Sequence, residues 1–245
     1  MKLRIGIIGC GGIATGKHLS ALKSNGDLCE VVAFCDGILD RAKKAAQEYG
    51  VENAQVCQNY KELLANPNVD VVYVLTPNIS HSPIAVDAFH AGKHVMCEKP
   101  MAINTAEAEK MMAAWKESGK KFSIGYQNRY RADVRHLHSA CQNGDLGEIY
   151  YAKAYAIRRR GVPTWGSFIQ GSQQGGGPLI DIGTHSLDLA LWLMDNYDVE
   201  SVTGTVFKKL GKLPQATDGN LWGAWDTSKY DVEDSAIGYI KMKNG

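Results

Sequence analysis

The segment Ile5-Gly6-Ile7-Ile8-Gly9-Cys10-Gly11-Gly12-Ile13-Ala14 constrains the chain more than any other, because an apolar run breaks into glycines and then resumes with helical spacing. Gly9, Gly11 and Ala14 fit the pattern G-x-G-x-x-G/A. The first glycine of that pattern permits a tight strand-to-helix turn, the second lets backbone approach a pyrophosphate, and the small third residue lets helix and strand pack closely. The N–H groups at the start of the following helix, at Gly12 and Ile13, then offer partial positive charge to the phosphates. A β-branched run, Glu30-Val31-Val32-Ala33-Phe34-Cys35, follows and ends at Asp36, where a carboxylate can accept hydrogen bonds from a ribose diol. The same glycines would also serve a turn in a parallel-sheet protein that binds no nucleotide, but strand, glycines, helix and terminal acid together favour a dinucleotide site. Asp36 would repel a 2′-phosphate and no Arg or Lys stands next to it in the chain, so NAD is expected in preference to NADP.

Apolar strands and helical segments alternate through the first half of the chain, the signature of an α/β doubly wound parallel sheet. Helices are expected at 13–24, 40–49, 80–91 and 105–118. Strands are expected at 3–8, 30–35, 69–75, 94–97 and 122–124, with a short one near 55–57. The strand over 69–75 is nearly continuous apolar, as when helices cover both faces, and it stops at Thr76-Pro77-Asn78. Ligands gather at the carboxyl ends of such strands, which puts Thr76, Pro77, Asn78 and nearby His81 beside a cofactor groove, although a Pro-Asn turn and a helix cap explain the same residues.

With 245 residues, 44% of them hydrophobic and 22% charged, the chain can bury a substantial core in two domains, expected at 1–125 and 126–245. A net charge of +1 offers no field for nucleic acid or a membrane surface, so small molecules and copies of itself are the expected partners. The six cysteines have no C-x-x-C or zinc-like spacing, and several sit in apolar runs, which fits a reducing cytoplasm. Residues 1–10 superficially resemble a lipoprotein signal, but the apolar core, Ile5 to Ile8, is too short and already serves the glycine motif. No stretch approaches transmembrane length.

The run Lys93-His94-Val95-Met96-Cys97 delivers Glu98-Lys99-Pro100 to the same sheet edge. Pro100 restricts Lys99 to extended conformations and permits a cis bond, so the ammonium is aimed by the backbone. A solvated Glu-Lys pair at a strand end is the plainer reading of these residues. Beyond Gly125-Tyr126-Gln127-Asn128-Arg129-Tyr130, a helix is expected at 132–142 and, after Gly147, a long strand over 149–158, followed by a glycine-rich loop to Gly177. Gln127 is a candidate for the cofactor, and Arg129, Arg160 and Trp165 are candidates for substrate; Trp165 would stack on a sugar or nicotinamide, or else pack beneath the loop. The segment 178–194 reads as an apolar helix whose polar residues cluster at its start, with Asp181 and His185 one turn apart on one face. A metal pair would need further ligands that no other cluster supplies, so no metal is expected; a satisfied core histidine or a catalytic pair remain.

Gly9-x-Gly11-x-x-Ala14, Glu98-Lys99-Pro100 and Asp181-x-x-x-His185, in that order along nearly the whole chain, resemble the Gfo/Idh/MocA oxidoreductases. The resemblance implies an N-terminal Rossmann domain, a C-terminal α/β domain with a large, mostly antiparallel open sheet, and homo-oligomers formed through that sheet. It implies catalytic positions at Lys99, Asp181 and His185, which would also bind substrate, and cofactor positions at Gly9, Gly11, Asp36, Thr76, Asn78, His81 and Glu98. Substrates would be sugars, polyols or their relatives. Oxidising a carbinol with NAD requires a hydride to leave carbon while a base takes the hydroxyl proton, and Lys99 and His185 are both candidates for that base. An NAD-dependent glycoside hydrolase of the same fold and a non-catalytic nucleotide-binding sensor are the alternatives. The last expected strand, 235–242, runs into Asn244-Gly245, a hairpin turn whose second strand would lie beyond, so a longer natural protein is expected.

Overall fold

The structure, a computed structural model, describes residues 1–164, 166–217 and 225–245, which form two units, Met1–Gly125 and Tyr126–Gly245. The first unit runs β1 (Leu3–Ile8), a π-helical turn (Ala14–His18) leading into α1 (Leu19–Ser24), β2 (Cys29–Cys35), α2 (Leu39–Tyr49), β3 (Gly50–Cys57), α3 (Tyr60–Leu64), β4 (Val71–Val74), α4 (His81–His90), β5 (His94–Cys97), α5 (Thr105–Ser118) and β6 (Phe122–Ile124). The strands form one sheet in the order β3-β2-β1-β4-β5-β6, every neighbouring pair parallel. From β1 the chain builds outward through β2 and β3, then crosses to β4 on the other side. That reversal leaves a crevice at the carboxyl ends of β1 and β4.

Ile5, Ile7 and Ile8 of β1 and Val72 and Val74 of β4 are buried, because helices cover both sheet faces. At the opposite end of these strands, Arg4 grips Asp70 with Nε–Oδ2 at 2.9 Å and Nη2–Oδ1 at 2.7 Å, fixing the start of β1 against the start of β4. Helix α5 begins where Asn104 Oδ1 accepts the Glu107 N–H at 2.9 Å and stops at Gly119, whose φ of +64° suits a residue without Cβ. The short α3, which the sequence pattern does not announce, is capped by Asn59 and presses Leu63 onto β1. A Cβ on Gly6 would lie 2.7 Å from Leu63 Cδ2, so this glycine allows the close approach.

The second unit contains a 3₁₀ turn (Gln127–Tyr130), α6 (Ala132–Gln142), a 3₁₀ turn (Gly166–Ile169), α7 (Gly171–Gln174), a π-helical turn (Leu179–Gly183), α8 (Thr184–Met194), β7 (Val199–Phe207) and β8 (Ser235–Met242). One expectation fails here. Residues 149–158 form no strand, and Tyr151, Tyr155 and Ile157 stand exposed. Alternation yields a strand only where another strand completes the ladder, and no described residue pairs with this segment. One edge of β8 is taken by β7, which pairs with it antiparallel from Val199↔Met242 to Phe207↔Ser235. The expected large sheet therefore amounts to two strands among the described residues. No described helix is long and apolar enough to cross a membrane.

Candidate functional site

In the first unit the glycine turn takes the form its spacing predicts. Gly9 has φ +96°, and a Cβ there would lie 2.6 Å from Leu75 O, so glycine is required by both backbone conformation and neighbour. Gly11 and Gly12 are different, since a Cβ at either position would meet nothing within 4 Å. The fold itself does not require glycine at either position, and both lie where the motif lets backbone approach a phosphate. Ala14 is fully buried and Ile13 exposed at the mouth of the turn. Burial pushes the Cys10 thiol up to about 12, with the nearby Asp36 charge adding to it, so no thiolate stands beneath the phosphate position at neutral pH.

Asp36 does more than wait for a ribose. Its Oδ2 accepts the Cys10 N–H at 2.8 Å and its Oδ1 the Ile38 N–H at 2.8 Å, tying the glycine turn to the loop that enters α2. A carboxylate offers about four acceptor positions, so about two remain for hydroxyl groups. The adjoining groove, about 440 Å³, is lined by Gly11, Gly12 and Thr15 on one side and by Arg41, Lys44 and Tyr49 of α2 on the other. Arg41 and Lys44 are not neighbours of Asp36 in sequence; α2 folds their side of the helix back along the groove. Their i, i+3 spacing in an otherwise ordinary surface helix is the only signal they carried.

Thr76, Pro77 and Asn78 follow β4 at the crevice, with Asn78 opening a 3₁₀ turn before α4. His81 is 0% exposed, with Nδ1 2.8 Å from Pro100 O and Nε2 2.9 Å from Thr76 O. Both neighbours are acceptors and a neutral ring carries one N–H, so His81 donates to one carbonyl and stands between the end of β4 and the Lys99-Pro100 segment. Burial pushes its pKa below the ordinary histidine value, against the pull of the two carbonyls. The Lys99–Pro100 bond is cis, and the Glu98 carboxylate folds back to accept the Lys99 N–H at 3.1 Å and to meet His18 Nε2 at 2.8 Å.

In the second unit His185 is 7% exposed, at the start of α8, and Asp181 lies half-buried in the preceding π-helical turn. Tyr126 sets its ring edge-on to His185, centroids 6.4 Å apart, while its hydroxyl lies 3.2 Å from Thr184 Oγ1. Arg129, expected to bind substrate, forms a two-pronged ion pair with Asp188, with Nε–Oδ2 at 2.8 Å and Nη2 on Oδ1, and its guanidinium lies 5.4 Å over the Trp192 ring. The Asp188 side chain is only 8% exposed, and it stands three residues past His185, so the pair anchors the helix that carries the histidine. Gln127 and Arg160 are exposed, and Trp165 lies outside the described residues. The glycine loop has a packing reason: a Cβ on Gly177 would fall 2.0 Å from Glu233 O. Tyr126, Asp188 and His18 were not singled out in the sequence, because each acts through a partner distant in the chain.

Comparison with known proteins shows the family. Residues 3–126 match the oxidoreductase family with an NAD-binding Rossmann fold, and residues 134–245 match the GFO/IDH/MocA C-terminal domain. The chain is 42% identical to a D-glucoside 3-dehydrogenase of Escherichia coli (strain K12), over 99% of this chain and 68% of that protein. It is 30% identical to an inositol 2-dehydrogenase of Salmonella typhimurium (strain LT2), over 82% of this chain and 57% of the relative. Among solved structures, the aldose-aldose oxidoreductase from Caulobacter crescentus complexed with glycerol superposes with a TM-score of 0.79 at 28% identity, over all of this chain and 69% of that one. The chain thus spans between 57% and 68% of the length of these two curated relatives. It belongs to the Gfo/Idh/MocA oxidoreductase family, and NAD is its cofactor.

Proposed function

We propose that this chain carries the catalytic parts of a dehydrogenase that moves a hydride between NAD and the carbinol carbon of a sugar, polyol or related small molecule. The observation that carries the reading is the end of β5, where the backbone delivers Lys99 to the same sheet edge as the glycine turn and Asp36. The glycine turn and Asp36 hold the dinucleotide, whose nicotinamide, when bound, supplies the hydride acceptor. The Lys99 ammonium donates a hydrogen bond to the substrate oxygen and stabilises the negative charge that develops as the proton leaves. His185 takes that proton, since an imidazole changes charge near neutral pH, and Asp181 orients a neighbouring hydroxyl. The D-glucoside and inositol dehydrogenases among its relatives support a ring carbinol as the reacting group.

All six cysteines are free thiols, which supports a reducing, cytoplasmic setting. Val202 and Val206 stand exposed on one face of the β7-β8 sheet and Ile237 and Tyr239 on the other, which supports self-association through that sheet. The test is to offer the purified chain NAD together with glucosides, free aldoses and inositols, and to follow NADH by absorbance. Turnover with at least one ring carbinol is expected; intact NAD binding with no NADH from any of them would overturn the reading.

A further inference from the structure

The Glu98 carboxylate is an expensive group to place where it lies. Its side chain is 14% exposed and His18 is 15% exposed, so both are largely withdrawn from water. A buried carboxylate is costly unless partners replace its hydration. Glu98 has two such partners, one on each oxygen: His18 Nε2 at 2.8 Å from Oε1 and the Lys99 N–H at 3.1 Å from Oε2. Gly125 lies close against it, where a Cβ would stand 3.1 Å from Oε1 and 3.2 Å from Cδ and crowd the carboxylate by a few tenths of an ångström. Three separate parts of the Rossmann unit, the turn after the glycines, the end of β5 and the end of β6, thus meet at one carboxylate.

His18 reaches it through an unusual piece of helix. The helix after the glycine turn starts at Gly12 and Ile13, widens into the π-helical turn Ala14–His18 and becomes regular again at Leu19. One residue inserted into a turn rotates everything after it by about 100° about the helix axis, and such insertions recur at functional sites. Here the insertion ends on His18, whose ring is also set edge-on to Tyr73, centroids 5.8 Å apart.

We propose that His18 is a positioning residue, which through Glu98 sets the backbone of Lys99 and so couples the glycine turn that grips the dinucleotide to the lysine that meets the substrate. This rests on Lys99 acting as proposed above. Burial pushes the Glu98 carboxyl up, but the His18 bond and charge, with the Lys99 N–H and ammonium, outweigh it and hold the group below its ordinary value. The charged and titratable groups around Glu98 are His18 from the π-helical turn, Cys97 and Lys99 on either side of it in the chain and His81 from α4. What the Glu98 anion contributes is therefore present above the carboxylate range and lost as pH falls through its folded pKa. Without His18 that pKa rises, and the loss moves to higher pH.

The experiment compares the full chain with His18→Leu and His18→Gln, reading the Glu98 carboxyl by ¹³C NMR, the peak identified with Glu98→Gln, and the pH profile of kcat. In His18→Leu the Glu98 titration and the acid limb of kcat should both move up by about one unit or more, and kcat should fall roughly tenfold with NAD affinity nearly unchanged. His18→Gln, which keeps an N–H within reach, should restore most of both. An unmoved Glu98 titration, or an unmoved acid limb beside a lowered Tm, would overturn the proposal. Should His18→Leu not fold, the double variant His18→Gln with Glu98→Gln decides: it should be no slower than Glu98→Gln alone, and additive losses would end the idea. The carboxyl titration needs no substrate, so a shifted Glu98 without turnover on any carbinol removes the dehydrogenase reading and leaves the link itself standing.

Discussion

The two units treat their apolar residues in opposite ways. In Met1–Gly125 two clusters pack from either face of the six-stranded sheet, one around Val72, Val74, Phe89 and Met111, the other around Ile5, Ile7, Leu19 and Phe34. In Tyr126–Gly245 the buried apolar cluster is Ile169, Tyr230 and Val232, while Tyr150, Ile157, Val202, Ile237 and Tyr239 stand exposed. The first unit holds its dinucleotide turn with its own core. The second holds its histidine with polar clamps, Arg129 on Asp188 and Tyr126 on Thr184, set on a single helix. Two kinds of support should respond differently when disturbed.

The largest effects are expected at the chemistry itself, with one variant in each unit. Lys99→Ala and His185→Ala should each slow hydride transfer by about 10²- to 10⁴-fold while leaving NAD affinity nearly unchanged, measured by single-turnover absorbance and by fluorescence titration. Lys99→Ala should keep its Tm, whereas His185→Ala, which empties a buried position, should lower it as well. Normal turnover in His185→Ala with a lowered Tm would make the second unit's histidine a packing residue and break the parallel between the units.

Next in size is the contrast between cores. Leu63 is 0% exposed and wedged against Gly6, so Leu63→Ala should cost about 2–5 kcal/mol in denaturant unfolding of the first unit. Val202 is 68% exposed on β7, and at protein concentrations low enough to keep the chain monomeric Val202→Ala should stay within about 0.5 kcal/mol. A large loss at Val202 would mean that the exposed sheet face is covered in solution, which is what self-association predicts, and its concentration dependence would show that directly.

The same contrast decided what could be read from the chain. Strands 3–8, 94–97 and 122–124 and helices 105–118 and 132–142 fall where their patterns place them, because a strand buried on both faces or a capped helix announces itself locally. The stretch 149–158 has an equally clear alternation and forms no strand, since pairing depends on a neighbour that alternation cannot name. The helix over 13–24 was legible, but not the π-helical turn within it, whose consequence is the reach of His18 to a carboxylate eighty positions on. Site residues that bear chemistry were visible by type and spacing. Residues that hold them, Asp188, Tyr126 and His18, are ordinary until the fold supplies their partners. His81 and Arg129 were conspicuous in sequence, but their neighbours, two backbone carbonyls and Asp188, were not.

A smaller effect separates two glycines that the motif treats alike. Gly9→Ala forces a Cβ into Leu75 O at a φ of +96°, so it should lower Tm and NAD affinity together. Gly11→Ala has open space around it and should fold normally, losing affinity alone. Equal thermal losses in the two would mean that the turn, not the bound phosphate, dictates glycine at both positions.

The smallest expected effect asks whether the nucleotide-binding unit alone chooses the cofactor. We predict that NAD is preferred over NADP, because Asp36 presents a carboxylate where a 2′-phosphate would have to sit. Yet that carboxylate is already partly offset by two backbone N–H groups, and Arg41 and Lys44 bring positive charge to the adjoining groove. The preference should therefore be modest and easily moved. Asp36→Ser removes the negative charge and leaves the basic pair, so the ratio of kcat/KM for NAD over NADP should fall toward or below one, mostly through a lower KM for NADP. Arg41→Ala added to Asp36→Ser should then raise the KM for NADP again, since the guanidinium is the group that would meet the phosphate. Side-by-side kinetics of the three proteins read this directly. A wild-type chain that uses NADP as well as NAD would show that Asp36 serves the turn and not the choice, and an Arg41→Ala variant without effect would place the 2′-phosphate elsewhere in the groove.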